Sequence, residues 1–398
     1  MSVLSKRVQV INPSPTLSIT AKANKMKAEG INVVSFGAGE PDYDTPVNIK
    51  NAAKTALDKG LTKYTPTSGI IELKKAICSK LKTDNNLDYA PEQILVSCGA
   101  KHSIFNVVLA LCGEGDEVLI PSPYWVSYPE MVNFAGAKPV YLQTSEKTGF
   151  KITAEQLKKA VTKNSKLFIL NSPSNPTGML YSQAELKEIA KVLTDNNIYC
   201  ISDEIYEKLA YTGQQPVSIA AFDDKIKNLT ITVNGVSKPY AMTGWRIGYA
   251  AGPKEIIQAM SNLQDHSTSN PTSIAQYATI EALNGPQDEL NKMVIEFKQR
   301  REIMVEKVNA VSSLSALMPE GAFYCWVNIS KLIGRSYNGK KIEGSMGLTE
   351  LLLTEAKVAV VPGCVFGDDN YIRLSYATSR AHITEGLDRI KDFTEKTQ

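Results

Sequence analysis

At 398 residues, with 43% hydrophobic and 21% charged side chains, the chain has the composition of a globular protein and the length of roughly two domains. Its 44 basic and 41 acidic side chains leave a net charge of +3, which gives no footing for a nucleic-acid or membrane-surface partner held by bulk charge. Nowhere do about 18 apolar residues run together, so no membrane span is expected. Residues 1–20 lack an apolar core of signal-peptide length and are interrupted by Asn12, Pro13 and Pro15. The six cysteines show no CxxC pair and no metal spacing, and Cys200 reads as a small core residue. A reducing, cytoplasmic setting is expected, with no metal site.

In chain order, short β-branched runs at 94–97, 117–120, 166–171, 198–202 and 230–234 read as buried strands. Helical patterns alternate with them. Two carry start signals: Thr153 with Gln156, and Ser182 with Glu185, stand at capping-box spacing before apolar periodicity. Strand alternating with helix predicts an α/β fold whose mostly parallel sheet is covered on both faces. Beyond about residue 285 the pattern changes to a long charged helix over 288–311, strands at 323–328, 358–361 and 371–375, and a final helix. This predicts a large domain over 46–285, and a smaller α+β domain that combines 1–45 with 286–398.

Three segments place reactive side chains just after predicted strands, where open parallel sheets collect their ligands. Ser237 and Lys238 follow the strand at 230–234, with Arg246 beyond. A lysine there must find a partner or lose its charge, and a neutral amine is what imine chemistry needs; a surface lysine is the plainer reading. Asp203 and Tyr206 follow the strand at 198–202, as an acid and a phenol that would share a face on a helical turn. A capping aspartate and a core tyrosine explain them equally well. Asn175 lies in Asn-Ser-Pro-Ser-Asn-Pro-Thr-Gly (171–178), a tight turn that either reverses the chain or holds Asn175 rigidly over a site. Arg373 sits in an apolar strand and needs an anion, from a substrate or from a structural carboxylate. The three histidines form no metal or triad pattern, and Gly37-Ala-Gly39 lacks the third glycine of a dinucleotide fingerprint.

Taken in order, Asn175-Pro-Thr-Gly178, Asp203 with Tyr206, Ser237-Lys238, Arg246 and Arg373 resemble the class I aminotransferases of pyridoxal-phosphate fold type I. Gly39-Glu-Pro-Asp42 and Pro121-Ser-Pro-Tyr-Trp125 extend the likeness over nearly the whole chain. It is strongest to the bacterial-type aspartate aminotransferase subgroup, some of whose members also use prephenate. The resemblance implies that Lys238 carries pyridoxal 5′-phosphate as a Schiff base and moves the proton at the substrate α-carbon. Asp203 would pair with the ring nitrogen, Tyr206 and Asn175 with the phenolic oxygen, and Trp125 with the ring face. The phosphate would be held by Ser237, Arg246, the backbone around Gly99, Ala100 and Lys101, and Tyr64 of a second subunit. Arg373 would grip the substrate α-carboxylate, with the Gly39 backbone closing over it. Lys101 would take the distal carboxylate, because the stretch 265–271 contains no arginine.

This implies a homodimer that exchanges an amino group between L-aspartate and 2-oxoglutarate in a ping-pong cycle. Prephenate or aromatic aminotransfer, a lyase of the same fold, and an amino-acid sensor that binds the cofactor are the alternatives. Two departures stand out: Gly235 where many members carry serine, and His102 where the subgroup carries glutamine.

Overall fold

The computed structural model describes residues 3–11, 15–213 and 215–398; Asn12 and Pro13, which interrupt the first 20 residues, lie outside them. Fifteen short strands are assigned among the described residues. After β1 (Val34–Ser35), seven of them build the larger sheet: β2 (Ile94–Ser97), β3 (Glu117–Ser122), β4 (Lys138–Gln143), β5 (Ser165–Asn171), β6 (Tyr199–Asp203), β7 (Thr230–Gly235) and β8 (Gly248–Ala251). Their order across the sheet is β2-β8-β7-β6-β5-β3-β4. Only β8 runs against its neighbours; the other pairs are parallel.

Side chains alternate between two cores, as the two-residue period of a strand requires. Val118, Ile120, Leu167, Ile169, Ile201 and Val233 pack with Ile104, Val107 and Met260 on one face. Leu119, Phe168, Leu170 and Cys200 pack with Leu186, Ile189 and Leu193 on the other. Burying each of these aliphatic side chains stabilises the fold by about 1.5–3 kcal/mol relative to exposure, and it is this double burial that makes the strands read as unbroken apolar runs. Both capping boxes are present: Thr153 and Ser182 accept from the third backbone amides of helices Ala154–Ala160 and Gln183–Asp195.

The remaining strands are β9 (Ser315–Ala316), β10 (Tyr324–Asn328), the hairpin β11 (Ser336–Tyr337) and β12 (Lys340–Lys341), β13 (Val358–Ala359), β14 (Val361–Pro362) and β15 (Tyr371–Ser375). An antiparallel sheet has the order β14-β15-β10-β9. The strand expected over 358–361 is in fact two: β13 pairs in parallel with β1, and β14 pairs with β15, so one stretch serves two sheets. The pairing of β1 with β13, together with a hydrogen bond from the Ser375 amide to the Phe36 carbonyl (2.8 Å), ties the N-terminal segment to the C-terminal third of the chain. The long helix is Asp288–Asn309, two residues shorter than expected. No helix among the described residues is long and apolar enough to cross a membrane, and none of their His, Cys, Asp and Glu side chains form a metal-binding group.

Candidate active site

The carboxyl ends of β5, β6 and β7 open into a cavity of about 710 Å3. Its wall contains Gly39, Ala100, Lys101, Trp125, Asn175, Asp203, Tyr206, Ser237, Lys238, Arg246 and Arg373. Of the residues singled out from sequence, Gly99 and Tyr64 are outside this wall. Gly99 sits one residue behind it, as the N-cap of helix Ala100–Leu111. Tyr64 is 92% exposed, so on this chain it meets no cavity.

Lys238 lies three residues past the end of β7, and its amine donates to the Gly39 carbonyl. Burial pushes its ammonium down to about 8; Arg373 and Arg246 push the same way, against Glu40 and Asp203. At neutral pH a larger share of molecules therefore carries an uncharged amine than for an ordinary lysine.

Asp203 is the last residue of β6 and is buried. Its Oδ2 accepts a 2.6 Å hydrogen bond from the Tyr128 hydroxyl, and its Oδ1 accepts from the Ile205 amide (3.4 Å). Burial pushes the acid up to about 6, opposed by the Tyr128 and Ile205 hydrogen bonds and the Lys238 charge. A cation placed beside this carboxylate would find it ready to ionise. Tyr206 does not bond Asp203; its hydroxyl stands 2.9 Å from that of Tyr324.

Hydrogen bonds through Asn171 brace the 171–178 turn. Asn171 donates to the Asp203 carbonyl (3.0 Å) and accepts from the Asn175 amide (2.8 Å). The Asn175 side-chain oxygen in turn accepts from Arg373 Nη1 (2.9 Å). This leaves the Asn175 NH2 group to donate elsewhere.

Arg373, in the middle of β15, is only 4% exposed. Its hydrogen-bond partners are two neutral oxygens, Asn175 Oδ1 and the Gly37 carbonyl (3.3 Å), and its buried Nε has none. No ion pair to a carboxylate is formed by Arg373 among the described residues, so the structural-carboxylate explanation fails. A buried guanidinium with only neutral partners is costly, and its unpartnered Nε suits a carboxylate ligand.

Arg246, at φ +57°, donates to the carbonyls of Thr243 (2.7 Å) and Cys98 (3.2 Å) beside the start of helix Ala100–Leu111. Gly99 has φ +89°, and a Cβ there would collide with the Arg246 guanidinium. Gly248 of β8 brings its backbone against Ala100 so closely that a side chain has no room. The Gly99 amide bonds the Ser97 carbonyl (2.7 Å), while the Gly99 carbonyl accepts from His102 and Ser103. The first helical amides, those of Ala100 and Lys101, have no acceptor within the helix and form with Arg246 an anion cradle suited to a phosphate.

The family model for "Aminotransferase class I and II" matches residues 31–390. The chain belongs to this family. Aspartate aminotransferase of Bacillus sp. strain YM-2 is 50% identical over 393 residues, covering 99% of both chains. Aspartate/prephenate aminotransferase of Nitrosomonas europaea is 47% identical, covering 97% of this chain and 98% of its own. The crystal structure of an aspartate aminotransferase from Rhizobium meliloti superposes with a TM-score of 0.96, at 44% identity and full coverage of both chains.

Within this aminotransferase, both departures have a local cause. A Cβ at Gly235 would meet the Gly248 Cα and the Ile247 carbonyl at 3.0 Å, so glycine lets β8 approach β7 closely. His102 accepts from the Cys98 amide through Nδ1 (3.4 Å), closing the loop before the helix.

Among the cavity-wall residues that the sequence did not single out are Tyr128 and Tyr324. Tyr128 stands three positions after Trp125, and the two rings meet edge to face at 5.3 Å. The three-residue spacing was the available signal. Tyr324 lies in an apolar strand and gave none.

Proposed function

We propose that this aminotransferase uses pyridoxal 5′-phosphate to exchange the amino group between L-aspartate and 2-oxoglutarate. The observation that carries the reading is the single cavity in which Lys238, with a weakened hold on its proton, faces a buried carboxylate and a buried guanidinium that lacks an anion. The residues present fit that cofactor. Lys238 would hold it covalently, Asp203 would pair with its ring nitrogen, and Tyr206 and Asn175 would donate to its phenolic oxygen. Trp125 would cover a ring face. Ser237, Arg246 and the amides of Ala100 and Lys101 would receive the phosphate, with Gly99 leaving room for the Arg246 guanidinium beside them. When bound, the cofactor supplies an electron sink for the bond broken at the substrate α-carbon.

The chain's own groups do the rest. Arg373 binds the α-carboxylate through its planar fork and so fixes which α-carbon bond points toward Lys238. The Lys238 amine takes the α-proton and returns it. Asp203, held ionised by Tyr128 and by the positive ring nitrogen, keeps that nitrogen protonated. Gly39 closes over the substrate carboxylate. Lys101 lines the cavity with its ammonium 4.9 Å from the Trp125 ring centre, which supports a role for it in meeting a distal carboxylate. Tyr64, almost wholly exposed on this chain, supports a homodimer in which it completes the phosphate site of a second copy. Residues 46–285 would then form the cofactor-bearing domain, and 1–45 with 286–398 the smaller one.

A panel of amino donors and oxo-acid acceptors with the purified holoenzyme tests this. Aspartate with 2-oxoglutarate should turn over without release of ammonia, pyruvate or carbon dioxide, any of which would mark a lyase or decarboxylase. Lys101→Ala should lower kcat/KM for aspartate by roughly 10- to 100-fold, the loss of one hydrogen-bonded charge pair, and leave monocarboxylic donors unchanged. Equal effects on both would refute the distal-carboxylate role. Prephenate belongs in the panel because the Nitrosomonas relative is named for it.

A further inference from the structure

We infer that Tyr324 is a positioning residue whose hydroxyl sets the proton of Tyr206 while its ring seats Arg373. The inference rests on the reading of Tyr206 as a donor to the cofactor's phenolic oxygen.

Tyr324 opens β10, which pairs with β15 so that Trp326 is opposite Arg373 and Tyr324 is opposite Ser375. Tyr324 and Arg373 are therefore diagonal neighbours on one face of the sheet, within reach of each other. The Arg373 guanidinium carbon lies 4.3 Å from the Tyr324 ring centre and 5.0 Å from that of Phe366. These two aromatic rings hold a cation that no carboxylate balances. The Tyr324 hydroxyl meets that of Tyr206 at 2.9 Å, with the two rings edge to face. Tyr206 and Tyr324 are both buried and both line the cavity.

Each phenol has one proton to give. With the cavity free, either hydroxyl can donate to the other. A phenolic oxygen that only accepts, arriving beside Tyr206, claims the Tyr206 proton. Tyr324 then has to be the donor within the pair, and a phenol that accepts one hydrogen bond donates the next more strongly. Removing the Tyr324 hydroxyl should weaken donation by Tyr206 without unseating Arg373, whereas removing the ring should unseat both.

The hydrogen bond to the phenolic oxygen draws electron density out of the cofactor and makes the nitrogen joined to Lys238 less basic. Its weakening should raise the pH midpoint of the visible absorbance of the lysine-bound cofactor. The test is a spectrophotometric titration of holoenzyme without substrate, for the native chain, Tyr324→Phe, Tyr206→Phe and the double variant. Tyr324→Phe should move the midpoint upward by about half to one pH unit and leave KM for aspartate unchanged. Tyr206→Phe should move it further, and the double variant should titrate like Tyr206→Phe alone, because Tyr324 acts through Tyr206. Tyr324→Leu should add a rise in KM.

A native midpoint in Tyr324→Phe, beside a shifted one in Tyr206→Phe, overturns the inference and leaves the proposed function standing. Additive shifts in the double variant overturn it as well. A native midpoint in Tyr206→Phe removes the placement of Tyr206 on which the inference stands.

Discussion

The two sheets contribute to the cavity in different ways. The seven-stranded sheet delivers its groups from strand ends: Asp203 closes β6, Lys238 follows β7, and Asn175 lies in the turn after β5. The smaller antiparallel sheet delivers Arg373 from the middle of β15 and Tyr324 from the first residue of β10, both of them paired in the ladder. Residues at strand ends can face an arriving cofactor and be re-aimed by short turns. Residues paired in a ladder cannot move without breaking it, which would suit the proposed clamp on a substrate carboxylate.

The comparison is sharpened most by substitutions that keep shape and change chemistry. On the larger sheet, Asp203→Asn removes the buried charge that would face the cofactor nitrogen. The expected loss is roughly 10²- to 10⁴-fold in kcat, from the cost of leaving one buried charge without its partner, with little change in the KM for aspartate. A kcat within a factor of a few of native would break the claim that this sheet holds the electronic end of the site. On the smaller sheet, Arg373→Lys keeps a cation and loses the fork. The expected effect is a smaller fall in kcat/KM, roughly 10- to 100-fold and mostly in KM. If that substitution lowered kcat alone, the division of labour between the sheets would be wrong.

How much of this the sequence disclosed follows the same division. Strands buried on both faces, such as β5 and β7, announced themselves as apolar runs, and reactive residues just beyond them were conspicuous. β4 escaped because it is an edge strand whose first, fourth and last residues are exposed, and β8 because Gly-Tyr-Ala-Ala has neither alternation nor β-branching. The stretch 358–361 looked like one strand because nothing in its residues marks a change of partner at Val360. Arg373 was legible as an arginine in need of an anion, but its two neutral partners belong to other parts of the chain. Tyr128 and Tyr324 act through tertiary contacts, with Asp203 at 75 positions and Tyr206 at 118 positions of sequence separation, and no local pattern encodes those. The likeness to the aminotransferase family supplied the roles that periodicity alone left open.

The central claim is that the Lys238 amine is the attachment point and that the cavity keeps it partly neutral. Borohydride reduction of the holoenzyme, followed by proteolysis and mass spectrometry, reads the attachment directly, and the rate of cofactor capture by the apo protein as a function of pH reads the amine. The reduced cofactor should sit on the peptide containing Lys238, and capture should accelerate as pH rises through about 8, where the amine loses its proton. Cofactor fixed to another lysine, such as Lys101, or to none, would contradict the account.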